Sequence, residues 1–238
     1  MGAHWPSQLY FYMTPPHECS YLPPQQATTL LADPSYPMEM AQFNLLSEMG
    51  FRRSGDSVYA PRCRSCNACL PVRVVVERFR PNRSQRRNLK LNRDITLTLL
   101  PAHPPTAELQ QLYQRYITTR HSDGGMANDG PNGFTEFFLS RWCDTLFLEF
   151  RLEQQLIAVS VIDQLQQGLS AVYTFFDPEH AKRGLGTFAV LQLIELCRQR
   201  HLPWLYLGYL IHQQPKMAYK RNFQPYQLLV GESWVTVS

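Results

Sequence analysis

The stretch from Thr145 to Ile211 limits the fold more tightly than any other part of the chain. TLFLEFRL, IAVSVIDQL and LSAVYTFF are three runs rich in β-branched and aromatic residues, separated by the short polar turns EQQ and QQG, and each reads as a strand. Turns this short join antiparallel neighbours. Asp177-Pro178 then breaks the third strand, a helical stretch runs from Arg183 to Arg200, and WLYLGYLI returns as another strand. Hairpins followed by a helix and a crossover strand imply an α+β architecture with a mixed, mostly antiparallel sheet.

The preceding half reads differently. LYFYMTPPHECSYLP is a short aromatic strand entering a proline-punctuated loop that presents Cys19, MEMAQFNLLSEMG is a helix stopped by Gly50, and FRRSGDSVYAP is a hairpin around Ser54-Gly55-Asp56. PVRVVVERF is a strand that carries Arg73 on one face. A helix opens near Ser84, capped by Asn82 or Ser84, and arrays Arg83, Arg86, Arg87 and Lys90 on adjoining faces. DITLTLLP is a further strand. PAHPP, Pro101 to Pro105, marks a turn and a domain boundary, dividing the chain into a Cys- and Arg-rich unit, 1–101, and a second unit, 102–238. A helix from about Thr106 to Arg120 follows, with Leu109, Leu112, Tyr113 and Tyr116 at core spacing, and then the glycine-rich loop RHSDGGMANDGPNG, bearing His121 and Asp123.

With 238 residues and 44% hydrophobic side chains the chain can bury a substantial core. It has no apolar run of membrane-spanning length, and its N-terminus lacks the pattern of a signal peptide, so no membrane partner and a cytoplasmic location are expected. The net charge of +4 hides a strong asymmetry: residues 1–51 carry −4, residues 52–94 carry +9 and residues 95–238 carry −1. A local block of cations on a near-neutral protein suits a polyanion such as RNA; the plainer alternative is a solvated arginine-rich surface.

Six cysteines in this setting argue against a disulfide framework. Cys143 and Cys197 lie in amphipathic stretches and read as core residues. Cys63, Cys66 and Cys69 follow one another at three-residue spacing just ahead of the basic block, with Cys19 as a natural fourth member. Two readings stay open: a zinc or iron–sulfur ligand set, or reduced thiols in a structural turn.

C-x-Y-L-P from Cys19, G-F-R-R-S-G from Gly50, Y-x-P-x-C-x2-C-x-A-C-x-P-V-R-V from Tyr59 and F-x-P-N-R-S-Q-R-R from Phe79 together resemble the N-terminal domain of aminoacyl-tRNA–protein transferases. The R-H-x-D-G-x-M pattern at Arg120 and the block from Tyr206 to Pro225, with Lys216, Met217, Tyr219 and Lys220, look like later signatures of the same family. The matching segments run from Cys19 to Pro225, and the bacterial, leucine-transferring branch is the most similar. The order of elements after Thr145 resembles the GNAT (N-acetyltransferase-like) fold, in which two central strands splay apart to open a substrate pocket. The implied architecture is a small Cys-containing domain packed on a GNAT-like one.

The resemblance implies transfer of leucine from Leu-tRNA to acceptor proteins that begin with Asp or Glu, marking them for degradation by the N-degron pathway. It requires no cofactor for the chemistry and leaves zinc or an iron–sulfur cluster on Cys19, Cys63, Cys66 and Cys69 open. Recognition of an acidic first residue calls for guanidinium donors, and Arg73, Gln85, Arg86 and Arg87 are the candidates, each with a rival role on tRNA phosphates. Lys216 and Lys220 are candidates for the tRNA 3′ end or the acceptor chain. Tyr173, Tyr206, Tyr209 and Tyr219 either wall the pocket or pack in the core. Asp163 and Asp177 are candidates for accepting or orienting the amine proton, with a turn-capping role as the alternative for Asp177.

Three alternatives belong beside this reading. One is arginyl in place of leucyl transfer. Another is a CoA-dependent acetyltransferase, against which stands Ala181 at the first position of Ala181-Lys182-Arg183-Gly184-Leu185-Gly186, where CoA enzymes of that fold carry Arg or Gln. The third is a non-enzymatic, metal-bound RNA-binding protein, which leaves the second half of the chain without a role.

Overall fold

The computed structural model describes residues 9–120 and 133–237, and an eight-stranded sheet runs through its centre. The hairpins expected after Thr145 supply three of its eight strands: β9 (Thr145–Leu152), β10 (Gln155–Leu165) and β11 (Gly168–Phe176) pair antiparallel in chain order. Helix α5 (Leu185–Gln199) crosses one face and delivers β12 (Trp204–Leu210) parallel to β11. This helix starts later than Arg183 because a 3-10 turn, Pro178–Arg183, precedes it. Gly184, at φ +63°, makes the left-handed joint between the two.

The remaining strands come from elsewhere in the chain. β7 (Leu70–Val75) lies between β12 and β13 (Tyr226–Val230), antiparallel to both, and β14 (Ser233–Val237) closes that edge. β8 (Ile95–Pro101) forms the opposite edge beside β9. The division at residue 101 is therefore not how the chain is built: two strands from before it complete the large sheet. β7 belongs there because Pro71, Val72, Arg73 and Val74 are all buried, as a strand covered on both faces must be.

What remains of the N-terminal unit is a four-stranded sheet in the order β1 (Phe11–Met13), β4 (Thr29–Ala32), β6 (Ser57–Pro61), β5 (Arg52–Ser54), together with helix α1 (Met40–Glu48). The small ribbon β2 (His17–Glu18) and β3 (Gln26–Ala27) sits between β1 and β4 in sequence. The β5–β6 hairpin falls where the sequence places it.

Two layers cover the large sheet. On its rear face α5 and helix α2 (Arg83–Leu91) pack over Val72, Val74, Leu205 and Leu207. Its front face is covered in two parts. Helices α3 (Ala107–Arg120) and α4 (Gly133–Phe138) lie over Phe147, Val159, Val161 and Phe175, and the small sheet with α1 lies over Leu165 and Tyr206. The expected α+β class, with a small N-terminal unit on a mixed and mostly antiparallel sheet, is what the structure shows.

Candidate functional site

β11 and β12 are hydrogen-bonded neighbours only at their starts, where Gly168, Leu169 and Ser170 face Trp204, Leu205 and Tyr206. Beyond these pairs the strands part. β12 carries a bulge between Tyr206 and Tyr209, with Gly208 at φ +75°, so its far half turns out of register with β7 as it leaves β11. A wedge opens between the two strands, the splay that the sequence resemblance implies.

Tyrosines line this wedge. Tyr173 of β11 stacks edge-on against Tyr116 of α3, with ring centroids 6.2 Å apart, and Tyr116 meets Phe176 at 5.1 Å. Tyr21 and Tyr219 lie near enough to this pair to feel it electrostatically. Burial raises the pKa of both Tyr116 and Tyr173, so each stays an O–H donor at neutral pH. Short helix α6 (Pro215–Ala218) is tied to the same place: the Gln214 side chain caps it and donates through Nε2 to the Tyr21 carbonyl at 3.0 Å.

Lys220 sits at the inner end of the wedge, 5% exposed, with Nζ donating to the Tyr209 carbonyl at 2.5 Å and reaching Met217 Sδ at 3.6 Å. A side chain at Gly208 would place its Cβ 3.9 Å from that Nζ, so the bulge and the lysine share one small space. Burial, with the Arg52 guanidinium nearby, brings the Lys220 pKa down from 10.5 to about 7. The unfolded chain therefore holds a proton that the fold lacks between about pH 7 and pH 10.5, and stability rises with pH across that window, by at most about 1.4 kcal/mol per unit. Below the window the penalty is complete. Lys220→Met should exceed the wild type in stability at pH 7, with the margin narrowing towards pH 9. Urea unfolding at several pH values checks this, and a margin independent of pH would show that Lys220 keeps an ordinary pKa in the fold.

The four cysteines of interest converge beside this lysine. Cys19 lies in the turn closed by its amide bond to Gln25 O at 2.8 Å, and Cys63, Cys66 and Cys69 lie in the loop between β6 and β7; all four are half-buried and reduced. Burial pushes the Cys69 thiol up to about 11, reinforced by Cys63, Cys19 and Cys66 and opposed by Lys220. Each of the other three sulfurs is thus within electrostatic reach of Cys69. As placed, however, no three His, Cys, Asp or Glu side chains among the described residues form a metal-ligand set. The four sulfurs share a neighbourhood without the geometry of a metal site.

The residues expected to read an acidic acceptor are not brought together. Arg73 is buried on the front face between Trp204 and Trp234, with its guanidinium carbon 3.8 Å and 4.2 Å from the ring centroids, and it donates to Gln227 Oε1 and to the Tyr206 hydroxyl. Every face of it is occupied by the protein. Gln85 completes the capping box of α2 with Asn82 and donates to the Asn222 carbonyl. Arg86 and Arg87 lie exposed on α2 at the rear. Lys216 is exposed on α6 near the wedge, Tyr206 is in the core, and Tyr209 donates to Gly50 O at 2.8 Å.

The two carboxylates considered for proton transfer are both engaged. Asp163 is fully buried; its oxygens accept from Arg53 Nε at 2.7 Å and Nη2 at 2.5 Å, and from Thr145 Oγ1 at 3.0 Å. It bolts the small sheet to the large one. Asp177 accepts from Arg115 Nη2 at 2.9 Å and from the Glu179 amide at 3.1 Å, which is the turn-capping role. Both carboxylates are thus held in ion pairs. His121 and Asp123 lie outside the described residues.

The rear of the wedge carries a different chemistry. α2 exposes Arg83, Arg86, Arg87 and Lys90, with Arg93 just beyond, and none of them forms a salt bridge among the described residues. Asn88 and Asn92 fasten this helix to the start of α5, donating to Arg183 O at 2.9 Å each, and Asn88 also to Gly184 O at 3.2 Å. Asn88 Nδ2 stands 2.8 Å from where a Cβ on Gly184 would lie. The basic helix thus sits on the loop where CoA enzymes of this fold hold pyrophosphate.

Comparison with known proteins agrees with this arrangement. Residues 17–87 match the sequence profile described as arginine-tRNA-protein transferase, N terminus, and residues 108–230 match the one for the C terminus. The chain is 48% identical to an aspartate/glutamate leucyltransferase of Teredinibacter turnerae, over 97% of this chain and 95% of that protein. It is 49% identical to one of Pseudomonas putida, over 98% of both chains, and 50% identical to one of Alcanivorax borkumensis, over 96% and 94%. Among solved structures, a C-terminal domain of a lysylphosphatidylglycerol synthetase from Agrobacterium fabrum superposes with a TM-score of 0.51 at 14% identity, covering 71% of this chain and 62% of that one. That last likeness is one of fold.

Proposed function

The chain belongs to the arginine-tRNA-protein transferase family, and from that premise we propose that it transfers leucine from Leu-tRNA to the N-terminal Asp or Glu of acceptor proteins. It is an aminoacyltransferase. The observation that carries the choice of leucine is near-half identity, over almost the whole of both chains, to proteins named aspartate/glutamate leucyltransferase. Such transfer places the chain in N-degron-directed degradation, at the step that exposes a new N-terminal residue.

On this reading the two substrates meet at the wedge from opposite sides, which the separation of the exposed cations of α2 from the front face supports. The exposed basic face of α2 receives the tRNA acceptor stem, whose phosphates supply the electrostatic part of the affinity. The acceptor N-terminus enters from the front, between the small sheet and α3. Its neutral α-amine attacks the ester carbonyl carbon, forming the new C–N bond. The C–O bond to the terminal ribose then breaks, the ribose oxygen takes a proton, and the amine sheds its own to water. An α-amine has a pKa of about 7.7–8.0, so a useful fraction is already neutral at pH 7.

The ester is itself activated, so this route needs neither a covalent intermediate nor a cofactor. Positioning carries the rate. The protonated Tyr116–Tyr173 hydroxyl pair, whose members bond each other next to the wedge, is suited to donating one O–H to the oxyanion as it develops.

A CoA-dependent reaction receives less support. Besides Ala181, the α5 start is packed by Asn88, and Arg183 is committed to Asp94 through two bonds of 2.9 Å. Radiolabelled leucine, presented on tRNA, should appear on peptides beginning with Asp or Glu and not on those beginning with Arg or Lys. Absence of label on the acidic peptides would refute the assignment, and stabilisation of the protein by CoA in a thermal-shift assay would favour the other reaction.

A further inference from the structure

The β5 strand places two arginines side by side in sequence and on opposite faces, and both are buried. Arg53 is satisfied: its Nε and Nη2 hold the two oxygens of Asp163, a side-on bidentate pair. Arg52 is not. It is 7% exposed, its Nη1 donates to Ser47 O at 3.2 Å and Phe51 O at 2.5 Å, and its Nε and Nη2 are buried without any hydrogen-bond partner. The rings of Tyr206 and Tyr209 stand 5.4 Å and 5.8 Å from the guanidinium carbon. The unfilled edge of Arg52 is the same pair of donors with which Arg53 grips a carboxylate.

A second buried cation stands close by. Lys220 donates to the carbonyl of Tyr209, whose ring stands 5.8 Å from the Arg52 guanidinium carbon, so the two basic groups share one neighbour, and neither forms a salt bridge among the described residues. Burying one unpaired charge in a fold is already costly, and burying two together without an anion is more so. Such an arrangement is relieved when an anion is bound.

We propose that Arg52, assisted by Lys220, is the site that binds the side-chain carboxylate of the acceptor's first residue, with Arg52 Nε and Nη2 taking its two oxygens side-on. This rests on the reading that acceptors begin with Asp or Glu. The shape of the free donor edge selects a planar carboxylate. The depth of the site excludes the phosphates of a folded RNA, which have the exposed cations of α2 instead, whereas a carboxylate on a stem of one or two methylenes can reach it. A carboxylate held there leaves the attached α-amine at the wedge between β11 and β12, where the ester carbonyl must come. Neutral Asn and Gln fail because they bring an amide N–H towards two N–H donors.

The test compares the full-length wild type with Arg52→Met and Arg52→Lys, using Leu-tRNA and peptides that begin with Asp, Glu or Asn. Arg52→Met should raise the KM for the Asp peptide about a hundredfold or more, leave the KM for Leu-tRNA unchanged, and bring the ratio of Asp to Asn transfer close to one. That ratio does not depend on how much of the variant is folded. Arg52→Lys keeps the charge but loses the fork, and should recover only part of the preference. Without tRNA, the Asp peptide should raise the Tm of the wild type and not that of Arg52→Met, whose own Tm should be no lower than the wild type's because an unpaired buried charge has been removed. An unchanged Asp-to-Asn ratio in Arg52→Met, or a marked fall in its Tm, would overturn the proposal while the leucyl-transfer reading stands. A wild type that labels neither acidic peptide would instead remove the reading beneath it, and the proposal with it.

Discussion

Asp163→Ala should destabilise the protein by about 3–5 kcal/mol, because it strands the Arg53 guanidinium in a dry interior. Arg53 is 4% exposed, and its remaining acceptors are the carbonyls of Gly55 and Phe138 and the hydroxyl of Thr145, none of them charged. For a domain of this size the loss corresponds to a fall in Tm of roughly 10 °C, readable by circular dichroism. The pair spans the two sheets, Arg53 in β5 and Asp163 in β10, so the small sheet should come loose first and expose Tyr206 and Trp204 beneath it. The double replacement Arg53→Met with Asp163→Leu separates this account from a catalytic one. It removes both charges together and should recover most of the lost stability, and with it transfer activity. If the double variant regained its Tm but stayed inactive, Asp163 would have a chemical role that its hydrogen bonds do not show.

Replacing Arg83, Arg86, Arg87 and Lys90 of α2 together by Gln should raise the KM for Leu-tRNA on the order of a hundredfold at low salt and leave the KM for an Asp peptide and the Tm alone. All four side chains are exposed and lack ion-pair partners among the described residues, so little folding energy depends on them. The sharper signature is the salt dependence. A plot of log affinity against log salt should become shallower by about one for each cation removed. An unchanged slope would place the tRNA elsewhere.

The central run of the fold was legible because its signals are local. Three strands joined by tight turns, a helix and a returning strand between Thr145 and Ile211 follow from alternation, turn residues and one Asp-Pro break, and the structure keeps them in that order. β7 joins the large sheet although it precedes residue 101, and its residues carry the reason: PVRVVV is a near-continuous apolar run, as in a strand buried on both faces, and not the alternation of a sheet with one side in water. The β13–β14 hairpin has a weaker signal, Val230-Gly231-Glu232 as a turn between two short apolar strands.

The site was legible only in part. The motif blocks mark segments that the fold brings together, the Cys19 turn, the cysteine loop and Lys220, but do not order the arginines within them. A guanidinium in a strand looks the same in sequence whether it meets a carboxylate 110 positions away, as Arg53 does, two tryptophans, as Arg73 does, or nothing, as the Nε and Nη2 of Arg52 do. The exposed arginines of α2 drew attention because they cluster in sequence. Arg52 did not, because what distinguishes it is the absence of a partner in three dimensions.

One competition measurement tests the central claim most directly. The protein is given Leu-tRNA, Arg-tRNA and acetyl-CoA together in equal amounts, with a mixture of peptides beginning with Asp, Glu, Asn, Arg and Lys, and the products are resolved by mass spectrometry. The expected result is leucine added to the Asp and Glu peptides, with the others unmodified. Arginine or an acetyl group on any peptide in preference to leucine, or leucine on the Arg and Lys peptides, would contradict it.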